Sequence, residues 1–257
     1  MKRPMNEFQK DLLKVKIYND KIPMGEAAAG FVAKQLADAI RQKGTANLIL
    51  ATGASQFSFL EALQTKNIEW DKVTVFHLDE YKGISDKHPA SFRKYLKERI
   101  LDLVLPGKVY LLNGDSENLE EEIEKYEELL KSNPVDVACI GIGENGHIAF
   151  NDPAVADFND SRWVKVVELD HECRMQQSGE GWFPTLDDVP REAVSLTVTA
   201  IMNCKTISCV VPDERKAMAV FNTLFSEIST KCPATILRKH PGAVLFLDSS
   251  AASKIQE

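Results

Sequence analysis

Val135-Asp136-Val137-Ala138-Cys139-Ile140-Gly141-Ile142-Gly143-Glu144-Asn145-Gly146-His147 runs an apolar segment straight into a glycine-rich turn that ends on an imidazole. The first six residues read as a buried strand. The three glycines allow the backbone to turn sharply and to come close to a ligand. Ligands in open α/β sheets bind outside the carboxyl ends of the strands, so His147, with Asp152 five residues further on, is placed where chemistry is expected. Gly141, Gly143 and Gly146 also match the spacing of a dinucleotide fingerprint, but that motif needs a helix opening at its third glycine. Here Asn151-Asp152-Pro153 follows, a turn signal that leaves no room for such a helix. A nicotinamide or flavin cofactor is therefore not expected.

Outward from this segment, apolar β-type runs alternate with helical patterns. Strands are expected at Leu13–Ile17, Asn47–Leu50, Val73–Leu78, Val135–Ile140, Thr206–Val211 and Ala243–Leu247, with shorter extended pieces at Val109–Leu112 and Trp163–Leu169. Helices are expected at Ala27–Ile40, closed by Gly44, and at Ser55–Leu63, Ser91–Leu103 and Arg215–Phe225. A further, strongly charged helix spans Leu119–Leu130, with Asp115 and Ser116 as its capping residues. Strands separated by helices imply βαβ units. The expected fold class is α/β: a Rossmann-like, mostly parallel sheet with helices on both faces, a three-layer sandwich. No repeat, low-complexity tract or linker-like composition breaks the chain, so residues 1–257 are expected to form one domain. The segment from Gly179 to Pro190 is polar and glycine-rich, and reads either as a mobile lid or as an ordinary surface loop.

Composition narrows the classes of partner. Of 257 residues, 44% are hydrophobic and 27% charged, as in an ordinary globular protein, and the formal net charge is −7. That charge argues against nucleic acid or an anionic membrane as a partner, although a local cationic pocket still suits an anionic substrate. Five cysteines without framework spacing, and no C-x-x-C or histidine–cysteine cluster, suggest reduced thiols and no metal site. No run approaches the ~20 apolar residues of a membrane span. The N-terminus lacks an apolar signal core, and a cytoplasmic protein is expected.

Two other segments carry chemistry. In Leu50-Ala51-Thr52-Gly53-Ala54-Ser55-Gln56 a strand gives way to a turn, and Ser55 is positioned to cap the next helix. Backbone amides and hydroxyls there form an anion site, without the lysine of a Walker loop. In Phe76-His77-Leu78-Asp79-Glu80-Tyr81 two carboxylates sit at a strand end. They are equally well read as a polar strand terminus and as a base facing substrate.

Thr52-Gly53 after its strand, Leu78-Asp79-Glu80-Tyr81, and Asn145-Gly146-His147-Ile148-Ala149-Phe150-Asn151 together resemble the glucosamine-6-phosphate deaminase family. The resemblance continues through His88-Pro89-Ala90-Ser91-Phe92, Val189-Pro190, Lys216-Ala217, His240-Pro241 and Asp248. It implies conversion of an aminosugar 6-phosphate and water into a ketose phosphate and ammonia, with no metal or organic cofactor. Asp79 would move the proton at carbon 2. His147 would open the sugar ring, oriented by Asn145 and Asp152. The phosphate would rest on Thr52, Gly53, Ala54 and Ser55, with Lys216 as countercharge. The related 6-phosphogluconolactonases share the fold but usually carry Asp-Glu-Arg where this chain has Asp79-Glu80-Tyr81. A galactosamine-type substrate, a lactonase and a non-catalytic sugar-phosphate sensor are the alternatives. The family includes homo-oligomers as well as smaller forms. Departures fall mostly on the phosphate side. The family's clamping Arg is replaced by Gly179 or Glu180, with Trp182-Phe183 as an aromatic remnant and Arg174 or Arg215 as substitutes for its charge. Pro212-Asp213-Glu214-Arg215 replaces a small glycine-containing turn. On the ring-opening side, Asp152 stands where Glu is common.

Overall fold

The computed structural model describes residues 3–179 and 181–255. Eleven strands are formed among the described residues: β1 (Asn6–Lys10), β2 (Leu13–Tyr18), β3 (Ala46–Leu50), β4 (Val73–His77), β5 (Asp79–Tyr81), β6 (Lys108–Val109), β7 (Val137–Ile140), β8 (Val164–Glu168), β9 (Glu192–Leu196), β10 (Ile207–Val211) and β11 (Ala243–Asp248). Eight pair into one sheet in the order β1-β2-β11-β10-β7-β3-β4-β6. All neighbours are parallel except β1 and β2, which form an antiparallel ribbon at the edge. The central strands β3, β4, β7, β10 and β11 are buried at every position. A parallel sheet covered on both faces requires this, and it is why they read as continuous apolar runs.

Helices α1 (Lys21–Lys43) and α2 (Phe57–Gln64) cover one face. There Met24, Ala28, Val32, Phe59 and Leu63 pack on Leu48, Leu50 and Val137. The short helices α3 (Phe92–Leu96) and α4 (Asp102–Val104), joined through a π turn at Lys97–Leu101, extend this layer with Tyr95, Leu96 and Ile100. The opposite face is covered by α5 (Leu119–Ser132), which contributes Ile123, Tyr126 and Leu130. The small α6 (His171–Gly179) stands apart from this layer. Next come α7 (Val198–Met202), with Val198 and Ile201, and α8 (Ala217–Phe225), with Val220 and Leu224. The three-layer expectation therefore holds.

Strand order decides where a ligand goes. From β3 the chain moves to β4 and β6 on one side, whereas from β7 it moves to β10 and β11 on the other. The loops after β3 and β7 diverge, and the crevice between them is the topological switch point of the sheet.

A second sheet was not expected from the sequence. β5, β9 and β8 form a three-stranded antiparallel sheet over the carboxyl ends of the large one. β5 has only three residues and β9 mixes polar with apolar positions, so neither has a run long enough to be recognised. Only Leu78 separates β4 from β5. Two capping assignments are corrected. Asp115 does not cap α5, whose N-cap is Asn118; its carboxylate instead accepts from Arg93 Nη2 at 2.8 Å. Ser55 does not cap α2 either. The helix is entered through a 3₁₀ turn at Ala54–Gln56, preceded by Gly53 at φ 93°, with no side-chain cap. Gly44 does close α1 in the left-handed region (φ 83°), its N–H donating to Ile40 O at 2.8 Å.

Gly25 lets α1 meet α2. A Cβ there would stand 2.6 Å from the Ser58 carbonyl carbon and 2.8 Å from the Phe59 nitrogen, both backbone atoms. Gly25→Ala should therefore destabilise the fold by ~1–3 kcal/mol, the range for overpacking, despite the better helix propensity of alanine. Urea denaturation measures it, and an unchanged midpoint would contradict the close packing.

Candidate active site

The crevice opens into a cleft of about 570 Å³, counting its open mouth. Its lining includes Thr52, Gly53, Ser55, Asp79, Gly143, His147, Gln176, Gln177 and Lys216. Three loops at strand ends that are far apart in sequence meet there.

Two adjacent carboxylates have opposite surroundings. Glu80 is fully buried and accepts five hydrogen bonds: Oε1 from the amides of Tyr81 (3.0 Å) and Phe92 (3.1 Å), and Oε2 from Ser91 Oγ (2.8 Å), Arg93 N (3.0 Å) and Arg93 Nε (3.1 Å). It is a structural group. Asp79 points the other way into the cleft and has no hydrogen bond or ion pair among the described residues. Burial, together with the neighbouring Glu80 charge, pushes its pKa up to about 8. A desolvated carboxylate of this kind is a stronger base than one in water.

His147 lies opposite, on the glycine loop. The turn is held by Gly143 N–H donating to His147 O at 2.9 Å and by Asn145 Oδ1 accepting the His147 amide at 3.0 Å. Gly143 is required because the imidazole occupies the space of its missing side chain: a Cβ there would lie 2.1 Å from His147 Cε1. Asp152, fully buried, sets its Oδ1 2.9 Å from His147 Nδ1, although the ring N–H is not well aligned on it. The same oxygen accepts from Asn145 Nδ2 at 3.0 Å, and Oδ2 faces the Asp170 amide at 3.5 Å. Burial alone would raise the Asp152 pKa, but His147, Asn145 and the Asp170 amide outweigh it and hold the carboxyl below its ordinary range. Asn145 and Asp152 thus stand behind the imidazole, outside the cleft lining. The shorter aspartate reaches His147 without an intervening water. His77, at the end of β4, is kept neutral by burial and by Arg93, with its pKa lowered to about 3, and it is no rival as a proton carrier near neutral pH.

On the other wall, Tyr95 Oη donates to Gly53 O at 2.8 Å and steadies the turn after β3. Lys216 is buried at the start of α8, with Nζ 4.0 Å from Glu144 Oε1. Ala54 does not line the cleft. It faces a neighbouring depression with Asp213 and Arg215. Of the two cations expected to substitute for the clamp, Arg174 is engaged with backbone carbonyls. Its Nη2 donates to Leu186 O at 2.6 Å and to Val189 O at 3.1 Å, so it ties down the backbone. Arg215 is half-exposed beside Glu144 (3.7 Å) and Asp213 (3.4 Å). Glu180 lies outside the described residues, and Gly179 ends α6. Phe183 stacks edge-on to Tyr81 at 5.2 Å, and Trp182 meets Tyr95 at 6.1 Å.

Two residues were missed from sequence. Gln176 and Gln177 enter the cleft from α6, a polar helix whose only buried positions are Cys173 and Gln177. Without an apolar stripe it gave no periodic signal; the start signal Asp170, which accepts from Cys173 N–H at 2.7 Å, was the available clue. Gln177 Oε1 accepts from Tyr81 Oη at 2.7 Å, and Gln176 Oε1 accepts from the Glu144 amide at 3.1 Å. As to ions, the described residues contain one group with ligand chemistry, His147, Asp152 and Cys173. No helix among them is long and apolar enough to cross a membrane.

The family model described as glucosamine-6-phosphate isomerases/6-phosphogluconolactonase matches residues 19–246. Glucosamine-6-phosphate deaminase of Bacillus cereus is 34% identical over 237 residues, covering 92% of this chain and 88% of its own. That of Exiguobacterium sp. is 38% identical over 208 residues, with 81% and 80% covered. A monomeric glucosamine-6-phosphate deaminase superposes with a TM-score of 0.85 at 31% identity, covering 93% of this chain and 98% of its own. A 6-phosphogluconolactonase from Shewanella baltica superposes with a TM-score of 0.75 at 18% identity, covering 91% and 96%, a likeness of fold alone.

The unpaired burial of Asp79 has a stability signature. Its folded-state pKa lies above the unfolded one, so between about pH 4 and about pH 8 the unfolded chain releases this proton first. Across that window Asp79 lowers stability as pH rises, by up to ~1.4 kcal/mol per pH unit. Asp79→Asn removes the penalty. The Tm advantage of the variant over the parent should therefore be small near pH 4 and grow towards pH 8; a constant difference would mean that Asp79 is solvated or paired.

Proposed function

Since the chain belongs to the glucosamine-6-phosphate isomerase/6-phosphogluconolactonase family, we propose that it is a deaminating aldose–ketose isomerase acting on glucosamine 6-phosphate, with fructose 6-phosphate and ammonia as products. The observation that carries the reading is the pairing of an isolated, basic carboxylate, Asp79, with a carboxylate-backed imidazole, His147, in one cleft at the sheet's switch point. A lactonase needs no base at carbon 2, and the isolation of Asp79 would then have no use.

In this mechanism the phosphate lies against Thr52, Gly53 and Ser55, with the backbone of Ala54 completing the turn, and Lys216 supplies positive charge. Arg215 stands near enough to that wall to share the role of the absent clamp. His147 transfers a proton at the ring oxygen and opens the pyranose. Asn145 and Asp152 hold the imidazole in one tautomer and stabilise its charged form. Asp79 then removes the carbon-2 proton and returns it at carbon 1, which leaves an iminium at carbon 2; water adds there, the carbon–nitrogen bond breaks and ammonia departs, giving the ketose. Positioned acid–base groups of this kind are worth ~10²–10⁴-fold each. The scheme uses no metal or organic cofactor. The net addition of water and release of ammonia give the reaction a hydrolytic side, and it belongs to aminosugar catabolism in the cytoplasm, consistent with five buried free thiols.

Ammonia release from purified protein supplied with glucosamine 6-phosphate, galactosamine 6-phosphate or glucosamine tests the reading. Release from the first is expected, with a loss of ~10²-fold or more in Asp79→Asn. Silence with all three in a folded protein, or an Asp79→Asn enzyme that still hydrolyses a sugar lactone, would overturn it. The base must be ionised to act, so kcat/KM should climb about tenfold per pH unit on the acid side and level off near pH 8. A profile flat from pH 6 upward would remove Asp79 from the role.

A further inference from the structure

We propose that His147, Asp152 and Cys173 form a site for a soft divalent cation, Zn²⁺ above all, and that occupancy of this site silences the cleft. One ligand atom from each residue lies within 4.8 Å of the other two, and all three side chains are buried. Two features bring the donors together. His147 Nδ1 is buried without an aligned hydrogen-bond partner, and it is directed at Asp152 Oδ1 2.9 Å away. Cys173 approaches the same carboxylate from α6, where its N–H is fixed on Asp170 Oδ1 at 2.7 Å. Imidazole nitrogen, carboxylate oxygen and sulfur together are a donor set that selects zinc and rejects hard cations such as Mg²⁺.

The charges around the sulfur fit a cation as well. The carboxylates of Asp152 and Asp170 lie close to Cys173. The same negative surroundings favour a positive ion. When Zn²⁺ enters, a zinc–sulfur bond forms, the S–H bond breaks and its proton passes to solvent; no electron changes hands. Cys173 also lines the depression behind the glycine loop, together with Glu144, Asn145, His171 and Glu172. None of the other four cysteines belongs to such a group among the described residues. That binding blocks turnover rests on the function proposed above, because a metal on His147 Nδ1 displaces Asp152 from its partner and holds the ring against proton transfer. That binding occurs does not depend on it.

Calorimetric titration of the chelator-stripped full chain with Zn²⁺ separates the two claims. One ion per chain is expected, with release of a proton. Co²⁺ in its place should show a thiolate-to-cobalt charge-transfer band, and Mg²⁺ should give no heat. Cys173→Ser, close in size, should lose the band and bind Zn²⁺ at least ~10-fold more weakly, and Cys173→Ala should behave alike. In the ammonia assay, Zn²⁺ should suppress the parent reversibly with EDTA, whereas Cys173→Ser keeps its turnover and resists the metal. Absence of Zn²⁺ binding, or equal affinity in parent and Cys173→Ser, overturns the site. Binding without loss of turnover overturns the silencing. An enzyme with no turnover towards aminosugar phosphates that still binds Zn²⁺ through Cys173 would sustain the site and remove only the function on which the silencing rests.

Discussion

The buried ion pair between Glu80 and Arg93 is the constraint on which the site depends. Glu80 gathers the start of α3 through Ser91, Phe92 and Arg93, and Arg93 passes the connection on to Ile84 O (2.7 Å), Asp115 (2.8 Å) and Asn113. With α3 fixed, Tyr95 is placed to hold Gly53 O. One carboxylate thus sets the small sheet, the helix beside it and the turn after β3 in register. Removing one partner of such a pair leaves a buried charge without compensation, usually more costly than the pair itself is worth.

The same arrangement isolates Asp79. The donors of Tyr81, Ser91, Phe92 and Arg93 are committed to Glu80, and the Asp79 carboxylate enters the cleft without a hydrogen bond or ion pair among the described residues, close to a second negative charge. The protein accepts an unfavourable carboxylate there because surrounding contacts over-determine the backbone. A comparable tension appears two residues beyond His147, where Ala149 takes φ 50° in the cleft wall, a left-handed conformation uncommon for a residue with a side chain. Strained or unsatisfied groups in the cleft, beside a Glu80 that accepts five hydrogen bonds, are the pattern of a site organised for chemistry rather than for stability.

The large sheet was legible in the sequence because β3, β4, β7, β10 and β11 are buried on both faces and so spell uninterrupted apolar runs. The meeting of Asp79 and His147 in one cleft, with Asn145 and Asp152 behind the imidazole, was legible because both segments lie at strand ends and the motifs around them are specific. The small sheet was not. Its strands are short, and pairings such as Asp79 with Ser195 join residues more than a hundred positions apart. Gln176 and Gln177 escaped for a related reason, since α6 is held by its cap and by contacts to the site, not by an apolar stripe. The capping expectations at Ser55 and Asp115 fail for different reasons: Asp115 is taken by the distant Arg93, and Ser55 sits inside the 3₁₀ turn, where its Oγ accepts from Gln56 Nε2 at 3.1 Å.

The chain crosses from the large sheet to the small one at Leu78, and the glycine loop makes the same crossing. Phe150 N–H donates to Ser195 Oγ at 3.1 Å and Asn151 Nδ2 to Leu196 O at 2.8 Å. Asp79 and His147 are therefore both anchored to β9, while Thr52, Ser55 and Lys216 are carried by the ends of β3 and β10. The cleft is a seam between two separately supported halves, one holding the proposed proton-transfer groups Asp79 and His147 and the other the proposed anion-binding groups Thr52, Ser55 and Lys216. Substitutions can accumulate in the gripping half without disturbing the reactive one. The departures at Gly179 and Pro212–Arg215 lie away from the β9 anchor, so this lineage could retune what it holds while leaving intact what it does.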